Sequence, residues 1–107
     1  MSRMGDVLAR LAAPIVARKE AEAGDSWTAK LLAEPDLLGS KVTEEAAEVV
    51  QAFKGEGPER VAAESGDLIY HWLVLLTAAG VSLDDVAAKL EAREGTSGLA
   101  EKASRKL

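Results

Sequence analysis

Apolar residues recur along this chain at three- and four-residue intervals, and no stretch alternates in the strict two-residue rhythm of a strand. In residues 4–22, Met4, Val7, Leu8, Leu11, Ile15 and Val16 fall on one helical stripe. Pro14 lies inside it, and a proline there removes an amide hydrogen and crowds the preceding turn, so this helix is expected to kink or to split in two. GDSWT, residues 24–28, interrupts the pattern, and Asp25 or Ser26 can cap a short helix ending near Ala33. EPDLLGSK, residues 34–41, reads as a second break, and a long helix follows to Lys54. GEGP, residues 55–58, is a stop and a restart: glycine suits a helix C-terminus, and Pro58 suits the first turn of the next helix. That helix runs to Ala79 and stops at Gly80. Ser82 then caps a helix ending near Glu94, with Asp85 placed for a capping box. GTSG breaks it, and a basic amphipathic tail, LAEKASRKL, follows. The fold class expected is all-α, a helical bundle. The short break at GEGP makes 41–54 and 58–79 a central antiparallel hairpin.

One segment changes this picture. LIYHWLVLL, residues 68–76, is apolar all the way round, and such a helix is normally buried on every side. A chain of 107 residues suits one domain, residues 1–107, and alone it buries only about two-thirds of its surface. Full cover for this helix is therefore expected from a homodimer whose long helices pack across a two-fold axis. Hydrophobic residues make up 48% of the chain, too many for a disordered one. The net charge of −5 argues against a nucleic-acid partner, which calls for a basic footprint. Cysteine is absent, which excludes disulfides and thiolate metal sites and agrees with a reducing cytoplasm. Asp6, Arg10 and Arg18 interrupt the N-terminal segment, which is unlike a secretory signal. No run of about 18 apolar residues is present, so no membrane-spanning helix is expected.

The acids raise the chemical question. KVTEEAAEVVQAFKG, residues 41–55, crowds Glu44, Glu45 and Glu48 into one helix, where like charges repel. At about 100° per residue, with Glu44 at zero, Glu48 lies near 40°, Lys41 near 60° and Glu45 near 100°. Val42, Ala46, Val49, Val50 and Phe53 cluster on the opposite side. Taken alone, this helix reads equally well as a charged face turned to water, with Lys41 paired to Glu45. The following helix shifts the balance, because Glu64 and Asp67 stand one turn apart at the start of its apolar run. Carboxylates beside a buried surface are costly unless paired or ligating a metal. In an antiparallel hairpin, residues 45–48 and 64–67 lie at similar distances from the turn, so the two pairs of acids can come level. Four carboxylates on facing helices suit a hard cation such as Mg²⁺, which takes oxygen ligands. A single histidine and no cysteine disfavour structural zinc, and the lack of Glu-x-x-His disfavours a bundle di-iron site. Asp25 and Ser26 suit caps, Trp27 suits packing or stacking on a base, and Lys30, Lys41 and Arg60 suit either solvent or a phosphate. His71 suits a satisfied core position or a hydrogen bond to Asp67.

The pattern E-E-x-x-E, a spacer, then E-x-x-D resembles the metal motif of the all-α nucleotide pyrophosphohydrolases, the MazG-like superfamily. DSWTAKLL, KVTEEAAEVVQAFK and ESGDLIYHWLVLLTAAGVSLDDVAAKLEAR together are most similar to the phosphoribosyl-ATP pyrophosphohydrolases, the second-step enzymes of histidine biosynthesis. The resemblance covers nearly the whole chain. Thr43 stands where many relatives carry glycine, Gly66 where alanine is usual, and Trp27 where tyrosine is more usual. None of these departures removes an acid. The resemblance implies Mg²⁺ held by Glu45, Glu48, Glu64 and Asp67, with Glu44 and Glu48 as the groups able to ligate, orient or deprotonate a water. It raises Asp25, Ser26, Trp27, Lys30, Lys41 and Arg60 as substrate contacts. It also implies a homodimer with sites near the interface. Two alternatives stay open at this point: a related enzyme acting on another nucleoside triphosphate, and a helical interaction module without catalysis.

Overall fold

A computed structural model describes residues 2–20 and 26–95. Five helices and no strand are found among them: α1 (Met4–Glu20), α2 (Trp27–Ala33), α3 (Pro35–Gly55), α4 (Pro58–Ala79) and α5 (Leu83–Glu91). The all-α expectation holds. Asp25 and the tail after Gly95 lie outside the described residues.

The proline inside α1 does not divide it. Helix assignment continues through Pro14. Pro14 and Arg10, whose carbonyl the proline leaves without an amide partner, are both exposed, so water can satisfy that carbonyl. Ile15, the next residue, is buried in the core and holds the second half of the helix in place.

The break expected over 34–41 is also helical. α3 begins at Pro35, and a proline in the first turn has no intrahelical partner to lose. Leu38 is buried and Leu37 packs against the core, which offsets the cost of Gly39 inside a helix. The Ser40 hydroxyl donates to the Leu37 carbonyl at 2.8 Å and the Thr43 hydroxyl to the Gly39 carbonyl at 3.1 Å. The helix expected from residue 41 is therefore six residues longer at its start.

Glu56 and Gly57 alone separate α3 from α4. Gly57 has φ +94°, a backbone state that side chains resist. α3 and α4 lie side by side across this short connection. α4 then ends as its sequence requires: Gly80 is left-handed at φ +74°, its N–H donating to the Thr77 carbonyl at 3.1 Å and that of Val81 to Leu76 at 2.9 Å. α5 starts on the expected capping box, with the Ser82 N–H donating to Asp85 Oδ2 at 2.9 Å and the Asp85 N–H to Ser82 Oγ at 3.0 Å.

α4 is the central element and packs against α1, α2 and α3. Ile15, Leu31, Leu38, Leu73 and Val74 form the buried core. The single chain does not cover α4 on every side, since Leu68, Ile69, Tyr70, Trp72 and Leu75 are only half-buried. α3 is turned in an instructive way. Glu45 and Glu48 of its acid face look toward Glu64 of α4 and Glu44 looks outward, while Val50 is 50% and Phe53 78% exposed.

Candidate metal centre

α3 and α4 bring three carboxylates to one point. Glu45 and Glu48 stand one turn apart on α3, Glu64 stands on α4, and one oxygen of each lies within 4.8 Å of the others. Glu45 is only 7% exposed and Glu64 8%, so two of the three are inside the protein rather than on a solvated face. Octahedral Mg²⁺, with ligands near 2.1 Å, holds its oxygens at most about 4.2 Å apart. The cluster is therefore close to the size of such a shell.

The surroundings show a site that lacks positive charge. Glu45 Oε1 has the Lys41 ammonium at 3.7 Å. Its Oε2 is buried and has no hydrogen-bond partner among the described residues. An orphaned carboxylate oxygen is costly in a native interior, and a coordinating cation would satisfy it. The Glu64 carboxyl is pushed above its ordinary value of 4.5, first by burial and then by its hydrogen bond with Glu48. Arg60 opposes that push, while repulsion from Glu48 and Asp67 adds to it. Arg60 contacts Glu64 directly through Nη2 and has Nε 3.5 Å from Glu56. The oxygen donor set, the orphaned atom and the excess of negative charge fit a hard divalent ion.

The other predicted residues distribute as follows. Asp67 is exposed and outside the three-oxygen cluster, one turn along α4 from Glu64. Glu44 points outward, its side chain 55% exposed, and pairs with Lys41 at 3.4 Å. Lys41 thus touches two of the three glutamates of α3. Ser26 caps α2 by accepting from the Ala29 N–H at 3.0 Å. Trp27 is exposed, with the Lys41 ammonium 6.0 Å from its ring centroid. Lys30 is exposed and makes no ion pair among the described residues. Two residues that sequence reasoning missed, Gln51 and Glu56, line a cavity of about 210 Å³ together with Glu48, Arg60 and Glu64. Both lie on α3 or just past it, one or two turns beyond Glu48, and helical spacing from Glu48 was the signal available. A larger groove of about 430 Å³ between α1, α4 and the start of α5 is mostly apolar and lacks such convergent polar groups.

An all-helical bundle that aims carboxylates from two neighbouring helices at one point defines a protein class suited to a hard cation and the phosphates it accompanies. Comparison with known sequences narrows the class. The profile of the family described as Phosphoribosyl-ATP pyrophosphohydrolase matches residues 8–94. A phosphoribosyl-ATP pyrophosphatase of Caulobacter vibrioides (strain NA1000 / CB15N) is 61% identical over 103 residues, which is 96% of each chain. One from Caulobacter sp. (strain K31) is 58% identical over 105 residues, 98% of each chain. One from Cereibacter sphaeroides (strain ATCC 17029 / ATH 2.4.9) is 54% identical over 101 residues, 92% of this chain and 97% of the relative. The chain belongs to the phosphoribosyl-ATP pyrophosphohydrolase family.

Proposed function

We propose that this protein catalyses Mg²⁺-dependent hydrolysis of phosphoribosyl-ATP to phosphoribosyl-AMP and pyrophosphate, the second step of histidine biosynthesis. The observation that carries the reading is the convergence of Glu45, Glu48 and Glu64, two of them buried and one with an unpartnered oxygen. The names of the relatives supply the substrate.

Glu45, Glu48 and Glu64 would hold the ion, with Asp67 one turn along α4 as the further acid that the family resemblance implies. When bound, Mg²⁺ supplies charge to a phosphoryl oxygen and to the leaving pyrophosphate. Without it the acids repel a triphosphate of about four negative charges. Glu44 and Glu48 are the carboxylates able to orient the attacking water and take its proton. Water adds across the α–β phosphoanhydride bond, its proton passes to the glutamate, and phosphoribosyl-AMP and pyrophosphate separate. Lys41 and Arg60 already touch the acid cluster, so each needs only to exchange a carboxylate for a phosphate oxygen. Ser26 and Lys30 at α2 supply further substrate contacts, as does Asp25 in the sequence before them, and the exposed face of Trp27 offers a surface for the base.

We take the residues to form one domain that works in the cytoplasm as a homodimer. The exposed Val50 and Phe53 of α3 and the half-buried Trp72 and Leu75 of α4 support the dimer, because they leave apolar surface on the two longest helices.

The deciding experiment measures pyrophosphate release from phosphoribosyl-ATP, ATP and the deoxynucleoside triphosphates, with and without Mg²⁺. Phosphoribosyl-ATP is expected to be cleaved at least about a hundredfold faster than the others, and Glu45→Gln to lose at least that factor while keeping its melting temperature. Preference for another triphosphate would reassign the substrate. Absence of Mg²⁺ binding by calorimetry would remove the metal centre.

A further inference from the structure

Trp27 is 45% exposed, yet its indole is fixed. Its Nε1–H donates to His71 Nε2 at 3.3 Å, and the two rings meet edge-on at 74° with centroids 6.4 Å apart. The contact is at the rim of the indole and leaves its π faces clear of the imidazole. Thr28, the next residue, is buried and its hydroxyl contacts the Tyr70 hydroxyl, so α2 is joined to α4 twice in succession. Tyr70 in turn stands edge-on to His71, with centroids 5.5 Å apart.

The chemistry of these contacts fixes the imidazole. Indole N–H can only donate, so His71 Nε2 must accept and carries no proton. His71 Nδ1 lies 2.8 Å from the Asp67 carbonyl oxygen, which can only accept, so Nδ1 carries the proton. One tautomer satisfies both ends of a buried side chain. A leucine at residue 71 would fill the interior more simply. The imidazole differs from it in its two polar ends: Nδ1 donates to the Asp67 carbonyl on its own helix, and Nε2 accepts from an exposed indole on another. That indole adjoins Lys41, whose ammonium also contacts Glu44 and Glu45, so one lysine separates the ring from the acid cluster.

We propose that His71 is a positioning residue that locks Trp27 as a stacking platform for the substrate's base and thereby selects purine nucleotides. The proposal rests on the nucleotide-hydrolysing function above. Stacking strength follows the area of the π face, so a fixed indole favours a two-ring base over a one-ring base. Holding the ring in advance also removes the cost of ordering it when the nucleotide binds.

The test is a mutant cycle of Trp27→Phe, His71→Leu and the pair, with His71→Gln as the conservative variant that keeps an acceptor. His71→Leu is expected to raise KM for phosphoribosyl-ATP about tenfold and to leave kcat within about twofold. It adds nothing in the Trp27→Phe background, and His71→Gln recovers most of the wild-type KM. Mg²⁺ affinity stays at the wild-type value in all four variants. The direct readout is quenching of Trp27 emission by AMP against a smaller effect of CMP, with Trp27→Phe, which retains Trp72, as the blank. An equal His71→Leu effect with phenylalanine at residue 27, a loss confined to kcat, or weakened Mg²⁺ binding would overturn the proposal and make His71 a structural support of Asp67. If buried His71→Leu does not fold, Trp27→Phe at its exposed position still decides, since an unchanged KM there is equally fatal. A wild-type protein that leaves phosphoribosyl-ATP intact refutes the proposed function alone. AMP quenching that is equal in the wild type and both His71 variants refutes the positioning role of His71 alone.

Discussion

Glu64 sits where three influences raise its proton affinity and one lowers it. Burial, the Glu48 hydrogen bond and repulsion from Glu48 and Asp67 hold the proton, and Arg60 favours its release. Its pKa in the folded protein is therefore above the ordinary 4.5 expected of the unfolded chain. The folded state binds the proton more tightly, so the stability Glu64 contributes is fully present below 4.5 and is lost as pH rises through the raised value. Urea titrations in chelator should show the metal-free wild type losing stability across that window relative to Glu64→Gln. Calorimetry should show the opposite for Mg²⁺, whose affinity climbs through the same window because the cation competes with the proton. A wild-type protein that parallels Glu64→Gln in both measurements would contradict this account. At this scale the sequence carried much of the site. Helical spacing, together with the short break at GEGP, placed Glu45, Glu48 and Glu64 where they could face one another. It did not reveal that Asp67 stays outside the cluster or that His71 reaches Trp27, because both depend on how α2 and α4 rotate against their neighbours.

Each helix boundary depends on local chemistry or on packing, and the two differ in legibility. Pro58 and Gly80 bound α4 as their backbone preferences require, and Ser82 with Asp85 starts α5, so these limits could be read directly. The start of α3 could not, because Pro35, Gly39 and Ser40 resemble a loop until Leu37 and Leu38 find the core. Pro14 was equally misleading, since an exposed carbonyl costs little to lose its partner. α5 has no buried residue and depends on its cap more than the other helices do. The Asp85 carboxyl is held below its ordinary 3.8 by the Ser82 backbone N–H and then by the Ser82 hydroxyl. Ser82→Ala should therefore cost α5 about 1 kcal/mol. Hydrogen exchange is expected to quicken at the Asp85 and Val86 amides while the amides of α4 keep their protection. Uniform loss across both helices would mean that α5 is integral to the core.

At the scale of the whole molecule, α3 has a mixed buried side. Glu45 is buried there beside Leu38 and Ala52, while Glu44 and, at 78% exposure, Phe53 face out on either flank. The wheel correctly set the acids apart from Val50 and Phe53, but it could not say that the buried side lies between the two groups, because burial depends on how α3 rotates against α4. If α3 pairs with a second copy, burying Phe53 contributes about 1.5–3 kcal/mol per subunit. Phe53→Glu should then weaken association at least about tenfold in sedimentation measurements. A wild type that sediments as a monomer at micromolar concentration would exclude the pairing.

Arg60 has a consequence for the life of this protein in a cell. Its guanidinium rises from the same helix as Glu64 and reaches the acid without help from any ion. The site thus keeps a tethered understudy for part of the missing charge. On the proposed function, folding and metal loading become separable events, and the metal-free chain is expected to stay folded with Glu64 held by Arg60.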